Sequence, residues 1–250
     1  LLSSVPNIQI IFASTLESKL TCSNVGCIGC SVTYDSIHGL ELALGGVHSV
    51  QEALHKYFAH EVLSDNNRWR CHDCGQSVRA TKSMRLSTVA ETLVLTLMRF
   101  DSTGNKLHDN ISFNEALDIS ISNVLVKFRL LAVVVHLGET TRSGHYIAYV
   151  KRQSLWYQIS DLDITLITFK NVQKCEAYIL VYTKETTAEL DIRLNIQRAE
   201  AAEEKRIREA TAKIQEVAEM GKKIKEAETA EEKRIREATA KIQEVAADRG

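Results

Sequence analysis

Two Cys-x-x-Cys pairs, Cys27/Cys30 and Cys71/Cys74, stand 40 residues apart in a chain of 250. A two-residue gap lets one tight turn present two thiolates to one ion, and zinc takes four such ligands in a tetrahedron with Zn–S distances near 2.3 Å. Closing that site brings two segments distant in sequence side by side before any apolar core is considered. The interval exceeds that of a compact zinc ribbon, so a strand excursion and a helix must lie between the pairs. Disulfides are the competing use of these thiols, and they belong to oxidising compartments. The first residues, Leu1-Leu2-Ser3-Ser4, have no basic region and no initiator Met, so they read as neither a secretory leader nor a complete amino terminus. The expectation is one structural zinc per chain on Cys27, Cys30, Cys71 and Cys74. Cys22 leaves a second choice open, in which Cys22/Cys27 form the first pair over a longer loop. His72, between two Cys, reads as a loop residue, and Cys175, ahead of an apolar strand, as core.

Charge divides the chain. Residues 199–250 hold 13 Asp+Glu and 12 Lys+Arg with no aromatic and no Cys, so only the preceding part can build a mixed, aromatic-containing core. Within this tail, Ala202 to Ala218 is repeated letter for letter by Ala230 to Ala246, an offset of 28 residues or four heptads. Ile207, Ile214, Ile235 and Ile242 fall on one heptad position and Ala210, Val217, Ile224, Ala238 and Val245 on the other, interrupted at Gly221, Glu228 and Glu231. Glu204/Arg208 and Glu237/Lys241 are among the i,i+4 pairs in the favourable order. A long solvated helix follows, either alone or paired with a partner through 199–250. The net charge of −1 gives no global attraction for nucleic acid. The longest apolar run, Leu130 to Val135, stops at His136 and falls far short of a membrane span.

The earlier part reads as α+β with an antiparallel bias. Ser49 followed by Glu52 is a capping box that opens a helix through about His60, with Val50, Leu54, Tyr57 and Phe58 on its apolar face. Strands are expected at Ile8 to Ala13, Val32 to Ile37, Val78 to Leu86, Thr92 to Met98, Phe128 to Leu137, His145 to Val150, Leu155 to Ser160 and Ala177 to Thr183.

The order of motifs resembles the carboxy-terminal two thirds of a ubiquitin-specific protease catalytic domain. The resemblance runs from about Leu16 to Lys184. It is carried by Ser49-Val-Gln-Glu-Ala-Leu, Trp69-Arg-Cys71-His-Asp-Cys74, Leu93-Val-Leu-Thr-Leu-Met-Arg99-Phe100 and, most specifically, Ser143-Gly-His145-Tyr-Ile-Ala-Tyr149, Trp156-Tyr-Gln-Ile-Ser-Asp161 and Ala177-Tyr-Ile-Leu-Val-Tyr182. It implies a papain-like right hand with zinc-ribbon fingers (about 16–90) and palm (about 91–186) in a partial domain over 1–186, lacking most of the thumb, followed by the helical tail at 187–250. It also implies an intracellular protein, cytoplasmic or nuclear, whose partner is ubiquitin and whose reaction is thiol-dependent isopeptide hydrolysis. His145 matches the catalytic His. The third member of the family's triad falls on Ser160, with Asp161 next to it.

The residues test that register independently. If 145–150 and 155–160 form a hairpin over a four-residue loop, Lys151 to Ser154, then Val150 opposes Leu155 and His145 opposes Ser160, on one face, with Asp161 on the other. The Ser hydroxyl would accept from His145 Nδ1–H and fix the tautomer, without the charge stabilisation a carboxylate gives. Asp161 stays open as the alternative orienter, and His136 reads as structural. No family-type nucleophile box precedes Cys22, so the chain reads as a deubiquitinase fragment lacking its thiol nucleophile and inactive alone. The competing functions are a non-catalytic ubiquitin-binding module and a coiled-coil scaffold.

Overall fold

The structure, a computed structural model, describes residues 11–122 and 124–186 and, in the tail, 195, 198–199, 201–215, 219–220, 229, 233–234 and 236. The chain divides into two units, Leu1–Glu185 and Thr186–Gly250.

In the first unit the strands are β1 (Ser14–Cys22), β2 (Cys30–Ile37), β3 (Leu40–Ala43), β4 (Glu61–Leu63), β5 (Trp69–Arg70), β6 (Ser77–Val78), β7 (Ala80–Thr88), β8 (Thr92–Met98), β9 (Ala116–Ile121), β10 (Val124–Thr140), β11 (Ser143–Arg152), β12 (Leu155–Ser160), β13 (Asp163–Ile167) and β14 (Ala177–Lys184). Helix α1 is Val50–Tyr57 and α2 is Phe169–Val172. An eight-stranded sheet runs β13-β12-β11-β10-β14-β8-β3, with β9 also on β10. A four-stranded sheet runs β2-β1-β7-β4, and β5 pairs with β6. Among the described strands all pairs are antiparallel except β3 with β8.

Alternation explains the large sheet. In β8, Leu93, Leu95 and Leu97 are buried while Val94, Thr96 and Met98 face away. In β10 the buried apolar positions are Phe128 and Leu130, then Val133 and Val135, so the buried parity changes midway. The first half of β10 pairs with β9 and the second with β11. Because the buried parity switches, apolar residues run on without alternation across the join.

The capping box at α1 forms with one shift. Ser49 Oγ accepts from Glu52 N at 3.1 Å, but the Glu52 carboxylate accepts from His48 N at 2.8 Å rather than from Ser49. Val50, Ala53 and Leu54 are buried against the sheet core, and the helix ends at Tyr57, three residues before the expected His60. The strand expected at Ile8 to Ala13 is displaced. Residues 8–10 lie outside the described residues, Ile11 and Phe12 are helical, and the strand begins at Ser14. The strand expected over Val78 to Leu86 breaks at Arg79 into β6 and β7.

Arg99, 1% exposed, is the largest fully buried side chain among the described residues. Its Nε donates to Ala177 O at 2.5 Å, and Nη1 donates to Leu107 O at 3.0 Å and to Asp109 O at 2.9 Å. One guanidinium thus ties the end of β8 to the 107–109 loop and the start of β14. Arg99→Leu leaves these carbonyls unpaired in the interior and should lower the unfolding free energy by about 3 kcal/mol, read from the urea midpoint.

In the second unit, 201–215 form helix α3 with every residue exposed. Ile207 and Ile214 lie open on it, and Glu204 pairs with Arg208 at 2.8 Å. The second copy of the repeat lies almost wholly outside the described residues.

Candidate active site and metal centre

The thiols of Cys22, Cys27, Cys71 and Cys74 lie within 4.8 Å of one another. Cys22 ends β1. Cys27 follows Gly26, whose φ is +79°, and Cys71 and Cys74 sit on a turn closed by Gly75 at φ +69°. In that turn the Gly75 amide donates to Cys71 O at 3.0 Å and the Cys71 amide to Gln76 O at 3.0 Å. Cys27 Sγ and Cys71 Sγ are 3.7 Å apart, close to the edge of about 3.8 Å of a tetrahedron with 2.3 Å Zn–S arms. The sulfurs also accept from amides, Asn24 N to Cys22 Sγ and Gly29 N to Cys27 Sγ, both at 3.4 Å. Four thiols with amide donors turned towards them fit a zinc ion, and no oxygen ligand enters the set. The Cys74 and Asp73 amides hold the Cys71 thiol below its ordinary value. At Cys27 the Gly29 amide pulls downward, but burial and the three neighbouring thiols outweigh it and push the group up to about 12. Crowded thiolates of this kind need a cation among them.

The expected ligand set is corrected at one position. Cys30 is exposed and lies outside the cluster, and Cys22 takes its place. Cys30 is paired directly with Thr21 across β1 and β2, so both point to the solvent side, whereas Cys22, one residue on, points to the other face. Gly29 lies so close to the cluster that a Cβ there would collide with Cys71 Sγ.

His145 and Ser160 also come together. His145 Nε2 and Ser160 Oγ share a hydrogen bond of 2.9 Å, and both residues are half-buried. Two details differ from the expectation. The contacting nitrogen is Nε2 rather than Nδ1. The β11–β12 turn holds two residues rather than four, with Arg152 opposite Leu155, Val150 opposite Tyr157, and Gln153 at φ +57°. A positive φ at the first turn position matches the twist of the flanking strands and favours the tighter turn. The register moves by two, so parity is kept and His145 meets Ser160 diagonally rather than head-on. Asp161 sits at the first position of the β12–β13 turn at φ +51°, exposed, with no hydrogen-bond partner among the described residues.

None of the six cysteine thiols hydrogen-bonds to His145. Four form the cluster, Cys30 is exposed on β2, and Cys175 is half-buried with its thiol pushed up to about 11, chiefly by burial.

A polar staple holds the hairpin that carries His145, and sequence reading missed it. Lys106 Nζ donates to His136 O at 2.7 Å and pairs with Glu176 at 2.7 Å, while Lys106 N donates to Glu139 O at 3.0 Å. His108 lies between two carboxylates, Nδ1 to Glu176 and Nε2 to Glu139, each at 2.9 Å. The alternation of Lys106 and His108 was the available signal, but their acidic partners lie 31 to 70 residues away. Glu176 and then Glu139 raise the His108 pKa above its ordinary 6.5. The stabilisation is therefore complete below the unfolded value and is lost as pH rises through the higher folded value. Urea midpoints followed from acid to neutral pH should fall more steeply for the parent chain than for His108→Gln.

The family model described as ubiquitin carboxyl-terminal hydrolase matches residues 3–182. Ubiquitin carboxyl-terminal hydrolase 17-like protein 15 of Homo sapiens is 35% identical over 187 residues, covering 72% of this chain and 33% of the relative. The 17-like protein 6 of Homo sapiens is 35% identical over 186 residues, covering 72% and 46%. The chain thus spans less than half the length of these relatives. Among solved structures, a chain of the yeast SAGA DUB module is 30% identical with a TM-score of 0.64, covering 71% of this chain and 42% of that chain. A chain of the Ubp8/Sgf11/Sus1/Sgf73 DUB module bound to ubiquitin aldehyde is 27% identical with a TM-score of 0.63 over the same shares. The matched residues include both the four-thiol cluster and the hairpin that joins His145 to Ser160, and the chain belongs to the ubiquitin carboxyl-terminal hydrolase family.

Proposed function

We propose that this chain is the finger and palm part of an intracellular, thiol-dependent deubiquitinase, with fingers over about 16–90, palm over about 91–186 and a helical tail at 187–250. The hydrogen bond between His145 Nε2 and Ser160 Oγ carries the reading. With Ser160 accepting from Nε2–H, the Nδ1 lone pair is left to act as base. It takes the proton of a thiol, the thiolate attacks the isopeptide carbonyl carbon of ubiquitin's carboxy terminus, and the imidazolium returns the proton to the leaving amine. Water activated by the same nitrogen then hydrolyses the thioester. Ser160 orients the ring but brings no charge to stabilise the imidazolium, and Asp161 contributes nothing to the ring in this arrangement. The attacking thiol comes from outside these residues, since no sulfur here stands beside His145. One zinc on Cys22, Cys27, Cys71 and Cys74 supplies structure by tying the ends of β1 and the β5–β6 turn together. The open isoleucines of α3 and the 28-residue repeat support association of the tail with a helical partner or a second copy.

One observation favours a second reading. A base without a thiol neighbour fits a ubiquitin-binding module that performs no chemistry. A ubiquitin derivative with a thiol-reactive carboxy terminus separates the two in the natural full-length protein. Covalent labelling that disappears on alkylation supports the enzyme, whereas saturable binding without labelling gives the binding module.

A further inference from the structure

His136 takes no part in the chemistry above, yet it is 3% exposed and its Nδ1 is buried without a hydrogen-bond partner among the described residues. A buried polar ring kept at such a cost calls for a reason that an aliphatic side chain would not serve equally well. Its surroundings supply one. His136 pairs with Tyr146 and Leu137 with His145 across β10 and β11, so the two imidazoles lie on opposite faces of one hairpin. The His136 ring rests directly on the backbone of both arms. A Cβ at Gly144 would collide with its Nε2 and Cε1, and one at Gly138 would come within 2.9 Å of Cε1. Gly144 immediately precedes His145, and the pairing register shifts between Leu137 and Thr140, where Gly138 sits.

Aromatic rings also pack around it. Tyr146 lies 4.8 Å from the His136 ring, Phe100 lies 5.5 Å away, and Tyr178 packs against both of them. The main chain of His136 is fixed as well, through Lys106 Nζ on its carbonyl. The ring thus packs on the main chain at Gly144 and Gly138 as well as on Tyr146 and Phe100. Its Nε2 and Cε1 fill the space beside Gly144, so replacing the ring changes what the Gly144–His145 peptide packs against.

We propose that His136 is a positioning residue for His145, a wedge behind the Gly144–His145 peptide that aims the His145 ring at Ser160. The inference rests on the reading of His145 as the base, but its test does not require turnover. Imidazole proton–nitrogen correlation spectra of the complete 250-residue chain report the tautomer and hydrogen bonding of His145 directly, with its signals assigned by their loss in His145→Gln. The parent chain is expected to show a single His145 tautomer protonated at Nε2, and Ser160→Ala to abolish that signature. His136→Ala is expected to abolish it too while β8 amide signals stay in place, and His136→Leu, which restores apolar volume, to keep the chain folded without restoring the signature. Unchanged His145 signals in either folded variant would overturn the proposal. So would loss of folding in both, because His136 would then serve the fold as a whole. Hydrolysis that persists in the natural full-length protein carrying His145→Ala would end the reading of His145 as base and leave this coupling intact, so the two failures are separable.

Discussion

Cys22→Ser abolishes stoichiometric zinc binding, whereas Cys30→Ser leaves one equivalent per chain in place. That is the expected outcome of metal analysis on the purified variants, and it follows from the geometry of β1 and β2. Cys22 faces the other three thiols, and Cys30 shares the solvent side with Thr21. Structural zinc in small domains contributes on the order of 10 kcal/mol to folding, so loss of one of four thiolates removes most of what holds this tip together. The apolar support is slight: Cys22, Cys71 and Val78 are buried, and Trp69, Cys27 and Cys74 pack on them. Hydrogen exchange should therefore speed up in β5, β6 and the end of β1 after Cys22→Ser or chelation, with β8 and β14 unaffected. Gly29→Ala should imitate the loss, because its Cβ has no space beside Cys71 Sγ. An empty site in Cys30→Ser and a full one in Cys22→Ser would refute the assignment.

His145→Ala in the natural full-length protein is expected to lower hydrolysis of a fluorogenic ubiquitin amide by about 10³-fold or more, since in the proposed mechanism both thiol activation and protonation of the leaving group depend on it. Ser160→Ala should cost only about tenfold, the scale of an orienting partner rather than a reacting one. The loss should appear in kcat with KM almost unchanged, because neither residue is asked to hold ubiquitin. Ser160→Asp restores the missing charge beside the imidazolium and should raise kcat above that of Ser160→Ala. Equal rates for His145→Ala and the parent would remove the enzymatic reading.

What was legible beforehand tracked burial. Leu93, Leu95 and Leu97 alternate with outward residues, so β8 could be read with its observed limits. The same alternation runs through β9, where Leu117, Ile119 and Ile121 are buried. β13 alternates Ile164 and Leu166 with polar neighbours, but both are exposed, so its pattern marks no buried face. β1 is polar along much of its length and follows an apolar run of which residues 8–10 lie outside the described residues. Cys-x-x-Cys spacing favoured Cys30 on local grounds, but the ligand set was decided by strand alternation, which depends on a pairing with β2 that spacing alone does not reveal. His145 and Ser160 were paired by face, and that survived a wrong turn length. The contacts of His108 and the packing of His136 depend on loops meeting across the hairpin, which no local pattern encodes.

The two-residue turn at Gln153 and Ser154 has a consequence for how this hairpin tolerates insertions and deletions. Changes of even length slide β12 along β11 yet return Ser160 to the face that carries His145, where the strand can still offer a hydroxyl on a diagonal. Where the two-residue turn is kept, a change of odd length turns the strand over and sends Ser160 and the buried Trp156 outward together, so a loss of chemistry arrives with a loss of core. An engineered single-residue insertion between Gln153 and Ser154 should therefore be tolerated only as a three-residue loop that leaves Arg152 opposite Leu155.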